Sequence, residues 1–235
     1  MKKTFNPLKN SNFVTFIKRS LNFLRLKLCK PKDIFTRIYK TNGWKDSESA
    51  SGTGSNIAET RKIVENLPRI FEKYSIRSIL DLPCGDYNWM NQLDFKEIKY
   101  TGGDIVGDIV DNNQKKFGSK NIVFEEFNLV DDNLPQNDLV FVRDCLVHLS
   151  FKDIRKSLLN IIESNSKYLI TTSFTKRDKN KNIATGEWRT VNFQLHPFNF
   201  PSPLEIINED CNESLGQYSD KSLCMWKISD LKNLI

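Results

Sequence analysis

Asp81, Pro83, Cys84 and Gly85 stand within five residues of one another, and Asp104 follows 23 residues after Asp81. The run RSILDL (77–82) leads into the first group and KYTGGD (99–104) ends on the second aspartate; both read as strands. A carboxylate at the end of a parallel strand accepts hydrogen bonds from an amino group. A glycine in the next turn lets a ligand approach the backbone, and the start of a following helix favours negative groups. An acid about 20 residues beyond such a turn bonds ribose hydroxyls. The set predicts a site for a ligand with an amino-acid end and a ribose. The structural alternatives are a helix N-cap at Asp81 and a turn acid at Asp104.

A second constellation is Arg143-Asp144-Cys145-Leu146-Val147-His148, after the strand-like run NDLVFVR (137–143). Asp144 and His148 are four apart and share a face on a helical turn. A histidine titrating near neutrality takes a proton from an acceptor hydroxyl, and Asp144 either fixes its tautomer or binds the acceptor. The alternative has His148 capping or packing the next helix. A third group, Trp188, Arg189, His196 and Asn199, lies in the long polar stretch 175–202. Its cationic, aromatic and amide groups suit a polar or anionic acceptor. The alternative is a surface loop with core aromatics at Phe198 and Phe200.

The elements that must position these groups alternate. Strands are expected at 77–82, 99–104, 121–127, 137–143, 167–174 and 222–228. Helices are expected from about Ile57 with a break or new start at Pro68, and at 86–95, 107–117 and 150–164, the last opened by Ser150 with Asp153 three residues on. That order implies βαβ units and a mostly parallel sheet. Gly102 and Gly103 are expected to let a ligand lie close. TNGWKDSESASGTGSN (41–56) reads as a loop. Phe13, Phe16, Ile17, Leu21, Leu24 and Leu28 make a basic amphipathic helix over 13–28, ended by Pro31. It lies either on an anionic membrane surface or against protein.

Bulk properties narrow the class. With 39% hydrophobic and 27% charged residues in 235, the chain reads as a soluble, cytoplasmic globular protein without a signal peptide. Residues 1–40 carry a net charge of +10 and the remainder −4, so the basic balance belongs to the arm and not to a broad nucleic-acid-binding face. Five cysteines without C-x-x-C spacing and only two histidines argue against a disulfide framework and a metal centre.

The stretches SESASGTGS (47–55), LDLPCGDYNWM (80–90), YTGGDIV (100–106), VRDCLVHLSFKDIRK (142–156), PFNFPSPLEIINE (197–209) and DKSLCMW (220–226) carry a resemblance. Over roughly residues 36 to 228 the chain resembles class I S-adenosylmethionine (AdoMet)-dependent methyltransferases. It is most similar to a bacterial subgroup associated with surface-glycan biosynthesis. The chain departs from the family's three-glycine motif: Pro83 and Tyr87 stand at two of the positions and only Gly85 remains, so Tyr87 must point away or reshape the pocket.

The resemblance implies an α/β, Rossmann-like seven-stranded class I methyltransferase fold over 41–235, its last strand antiparallel, with an N-terminal helical arm at 1–40. It implies AdoMet as donor, held by Asp81, Pro83, Cys84, Gly85, Asp104 and Ile105. Asn128 and Leu129 are expected beside the adenine, with Trp44 stacking there or serving as core, and the segment from Ser51 and Gly52 to Ser55 as a lid or a linker. His148 and Asp144 are the expected catalytic pair, with Arg143, Arg189, His196 and Asn199 toward the acceptor and no metal in the scheme. The reaction expected is O-methylation of a saccharide or surface-polysaccharide precursor (capsule or lipopolysaccharide). N-methylation of a small amine or amide, or a non-catalytic AdoMet-binding scaffold touching the inner membrane face through its arm, are the rivals.

Overall fold

The structure, a computed structural model, describes residues 26, 29–95 and 97–234. Apart from Leu26, the amphipathic segment 13–28 and its membrane reading lie outside the described residues. Among the described residues no helix is long and apolar enough to cross a membrane.

Helix α1 (Pro31–Lys40) begins where the sequence suggested an end. Pro31 sits in the first turn, where its missing N–H would be unpaired anyway, and Asp33 near the start and Arg37 and Lys40 near the end complement the helix dipole. Helix α2 (Ile57–Lys73) runs through Pro68 without a break. The proline forfeits one bond, while Ile63, Leu67, Ile70 and Phe71 stay buried on one face. Strand β1 (Ser78–Asp81) is followed by turns and a short 3-10 segment at Met90–Gln92, not by the helix expected over 86–95. Tyr87 takes a left-handed conformation (φ 58°) there, which ends any helical start.

Then come β2 (Lys99–Asp104), α3 (Gly107–Phe117), β3 (Ile122–Glu126), β4 (Leu139–Val142), α4 (Phe151–Glu163) and β5 (Tyr168–Phe174). Ser150 caps α4 by accepting from the Asp153 N–H at 3.2 Å, and its hydroxyl donates back to the Asp153 carboxylate at 2.9 Å. A short edge strand β6 (Glu205–Asn208), unanticipated in the sequence, one helical turn α5 (Glu213–Gly216) and β7 (Lys221–Lys227) complete the elements.

Seven strands form one sheet in the order β3-β2-β1-β4-β5-β7-β6. β1 to β5 pair in parallel, and β7 runs antiparallel to β5 and β6. Alternation along the strands splits the core in two. Ile79, Phe141, Ile170 and Met225 pack under α2 and α3 on one face. Leu80, Val140, Leu169 and Trp226 pack under α4 on the other, together with Phe193, Phe198 and Phe200 of the long segment. That segment is therefore core-forming, although it has no regular structure over 175–204. The strand order reverses between β1 and β4, and at such a switch point the carboxyl ends of the strands open a crevice.

Candidate functional site

The crevice is a cavity of about 540 Å³, within the roughly 300–1,000 Å³ common for small-molecule sites. On its β1–β2 side lie Asp81, Pro83, Cys84, Gly85, Asp104 and Ile105. The Tyr100 hydroxyl donates to Asp81 at 2.6 Å, yet burial dominates and pushes the Asp81 carboxyl up to about 8. Burial likewise pushes Asp104 up to about 6, against the N–H groups of Val106 (2.9 Å) and Gly85 (3.2 Å) that it accepts from. Among the described residues neither carboxyl has an ion-pair partner. This side of the cavity therefore favours a ligand that brings positive charge and hydroxyl donors.

Gly85 carries a positive φ of 54°, and a Cβ there would overlap the Ser51 hydroxyl. The Asp86 carboxylate reaches the same segment, accepting from the Ser49 hydroxyl at 3.0 Å and the Ala50 N–H at 2.8 Å. Ser51 and Gly52 are thus pinned over the glycine turn, and they line the cavity. Gly102 and Gly103 serve packing instead of ligand approach: Cβ atoms there would lie 2.6 Å from Phe124 and 2.8 Å from Leu82. The Tyr87 ring turns away from the cavity into a cluster with Tyr100, Phe117 and Phe124. Asn128 and Leu129 stand at the far wall with Val130; the Asn128 side chain shapes its own turn by accepting from the Val130 N–H at 3.0 Å.

Across the cavity, Arg143, Asp144 and His148 line the wall after β4. Asp144 has a left-handed backbone (φ 51°), a conformation aspartate tolerates, and its N–H donates to Thr172 Oγ1 at 2.9 Å. Its carboxylate meets Lys221 Nζ at 2.6 Å and Arg143 at 3.6 Å. Burial opposes its ionisation, but the two cations outweigh that and hold it below the usual carboxylate range. Arg143 also pairs with Glu209 at 2.6 Å and donates to the Gly54 carbonyl at 2.7 Å. Lys221 and Glu209, which complete this four-charge network, went unnoticed in the sequence.

His148 does not take its tautomer from Asp144. Its Nδ1 lies 3.0 Å from the Glu187 main-chain carbonyl, a contact only an N–H can make favourably, so the proton sits on Nδ1 and Nε2 keeps a lone pair. Burial depresses the His148 pKa below 6.5, which leaves the ring neutral at neutral pH.

The third group divides. Trp188 lines the cavity beside Phe174 and Tyr218, their rings edge to face at 5.0–6.1 Å. Arg189, His196 and Asn199 do not line it. Arg189 is buried with its Nη1 and Nη2 donating to main-chain carbonyls, and His196 and Asn199 are exposed on the outer surface. Pro31, Phe35 and Tyr39 of α1 also face the cavity, as does Trp44, whose ring lies 6.0 Å from His148. Helix α1 is tied across by ion pairs Lys32–Glu126 and Lys40–Asp108.

All five cysteines are free. Glu59 of α2 and the Cys211–Glu213 segment bring ligand-type atoms within 4.8 Å of one another, a proximity that joins two stretches distant in sequence.

No protein-family model matches the chain, and no curated protein matches it in sequence. Solved structures do. The N-methyltransferase NodS from Bradyrhizobium japonicum WM9 aligns at a TM-score of 0.53 and 12% identity, over 74% of this chain and 98% of that one. PigF with SAH aligns at 0.53 and 13%, over 72% of this chain and 55% of that one. The chain has the class I methyltransferase fold. The methyltransferase domain of bacterial CtHen1 aligns at 0.44 and 16%, over 49% of this chain, which spans 66% of that one. At these identities the likeness is one of fold, and the cavity's own residues carry any statement about chemistry.

Proposed function

We propose that the protein is an AdoMet-dependent methyltransferase that O-methylates a saccharide or surface-polysaccharide precursor. One observation carries the reading. The two buried carboxyls of Asp81 and Asp104 and the Gly85 turn share a single cavity with a histidine whose Nδ1 is turned to a main-chain carbonyl.

The donor fits this half of the cavity. Asp81, unpaired and buried, suits the ammonium of a methionine end, and Asp104 suits ribose hydroxyls. Ser51 and Gly52 cover the turn, with Asn128 and Leu129 toward the base. AdoMet, when bound, supplies a methyl group on a positively charged sulfur. His148 Nε2 accepts the acceptor hydroxyl's proton as the oxygen attacks, and the Glu187 carbonyl stabilises the imidazolium that forms. Holding the two partners in line supplies a large part of the acceleration.

Two features support a saccharide. Asp144 is 30% exposed toward the cavity and accepts hydrogen bonds from hydroxyls. Trp188 and Tyr218 offer aromatic faces against which the C–H face of a sugar ring packs. The stretches that resemble the surface-glycan subgroup point the same way. An amine acceptor is the second reading, favoured by Asp144 and Glu213 at the cavity wall, since carboxylates attract ammonium groups.

Transfer of labelled methyl from AdoMet to capsule or lipopolysaccharide precursors, run beside a panel of small amines, tests the proposal. Label entering an alkali-stable ether on the glycan supports it; label entering amines alone would replace it with the second reading.

A further inference from the structure

Arg189 is 7% exposed, yet it makes no ion pair among the described residues. A buried cation without a carboxylate is costly, and burial pushes the pKa of this guanidinium down to about 10. Its two terminal nitrogens go elsewhere, while its buried Nε has no hydrogen-bond partner among the described residues. Nη1 bonds the Leu146 carbonyl at 2.8 Å and Nη2 the Leu149 carbonyl at 2.6 Å. The main chain of the same loop takes the two carbonyls between: Arg189 N–H to Val147 at 3.1 Å and Gly186 N–H to His148 at 2.8 Å. Four successive carbonyls, from Leu146 to Leu149, are thus gripped by one loop.

The loop is itself fixed. Thr185 Oγ1 accepts from the Ser150 N–H at 3.0 Å, and the Glu187 side chain accepts from the Ala184 N–H at 2.9 Å. Gly186 has a φ of 97°, and Ile34 of α1 packs where its Cβ would be.

We propose that Arg189 is a positioning residue for His148: it clamps the 146–149 turn against the 184–189 loop, so that Nδ1 of the imidazole meets the Glu187 carbonyl and Nε2 is left bare. The role of that bare nitrogen as a base rests on the O-methylation reading; the clamp and the tautomer do not. The charged groups around the ring are Asp144, which favours the imidazolium, and Arg189 and Lys221, which oppose it. Glu187 contributes its carbonyl and Trp44 its ring. Arg189 therefore acts twice, through geometry and through charge.

Nitrogen-15 NMR of histidine-labelled protein tests this without any acceptor. The chain has two histidines, His148 in the cavity wall and exposed His196, so the spectrum holds only two imidazole signal sets to assign. The wild type is expected to show His148 protonated on Nδ1 with a titration midpoint below the ordinary histidine value of 6.5. In Arg189→Gln the tautomers are expected to mix and the His148 midpoint to rise. An unchanged His148 spectrum in folded Arg189→Gln would overturn the proposal. Should that variant not fold, the wild-type spectrum decides alone, a proton on Nε2 overturning it. AdoMet titration of the wild type reads the donor site separately, and its failure would leave the tautomer result standing.

Discussion

The Gly85 amide donates to the Asp104 carboxylate at 3.2 Å, so the acid that ends β2 is tied to the turn that follows β1. The same turn meets Ser51 from the preceding segment. Three stretches distant in sequence thereby close one wall of the cavity, and each makes a separate prediction about donor binding.

Gly85→Ala places a Cβ against the Ser51 hydroxyl at a left-handed backbone position. The 49–55 segment is expected to lift, lowering AdoMet affinity about tenfold or more, since roughly 1.4 kcal/mol corresponds to tenfold. Calorimetric titration with limited proteolysis checks this. Wild-type affinity would show that Ser51 and Gly52 are a linker rather than part of the donor wall.

Asp81→Asn keeps the shape and removes the titration. The Asp81 pKa is raised from 3.8 to about 8, so its stabilising contribution is present at low pH and is lost as pH rises through that interval. The variant is expected to lose this slope, gaining most over wild type near pH 8, while AdoMet binding weakens by about 10- to 100-fold through loss of a charge-assisted bond. Urea unfolding at pH 5 and pH 8 reads the first effect. A variant more stable at pH 5 than at pH 8 relative to wild type would contradict it.

His148 has its pKa lowered by burial. The unfolded chain binds the proton more readily, so this contribution to stability is present above 6.5 and is lost as pH falls below it. The acid limb of kcat/KM is likewise expected below 6.5. His148→Ala is expected to cost about 10²- to 10⁴-fold in turnover with a hydroxyl acceptor. Turnover within a few-fold of wild type would remove the base and favour an amine.

Glu209→Gln strips the closest counter-charge from buried Arg143. Breaking a buried pair from one side costs about 3–5 kcal/mol, to be read as a lower urea midpoint. A change under about 1 kcal/mol, as for surface pairs, would mean the network is wetter than its burial implies.

Much of the frame was legible because strand periodicity and cap chemistry are local. Ser150 with Asp153 marked α4, and the runs ending in Asp81 and Asp104 marked the donor strands. The misses share a cause: the deciding contact is distant. Tyr87 at positive φ cancels the helix expected over 86–95, while Asp86 holds residues 49–51. β6 escaped because Ile206 is half exposed on an edge strand that follows Pro201 and Pro203. Arg189 read as a substrate contact because its type was visible and its carbonyl partners, some 40 residues back, were not. Lys221 and Glu209 had a faint signal, charges abutting the apolar runs of β7 and β6.

The most direct test of the donor site is calorimetric titration of the wild type and Asp104→Ala with AdoMet and S-adenosylhomocysteine, with circular dichroism to confirm that both are folded. Both ligands are expected to bind the wild type at micromolar concentration and to lose at least tenfold in affinity for the variant, about 1.4 kcal/mol or more. Equal affinity in the two folded proteins, or no binding of either ligand to the wild type, would contradict this donor site.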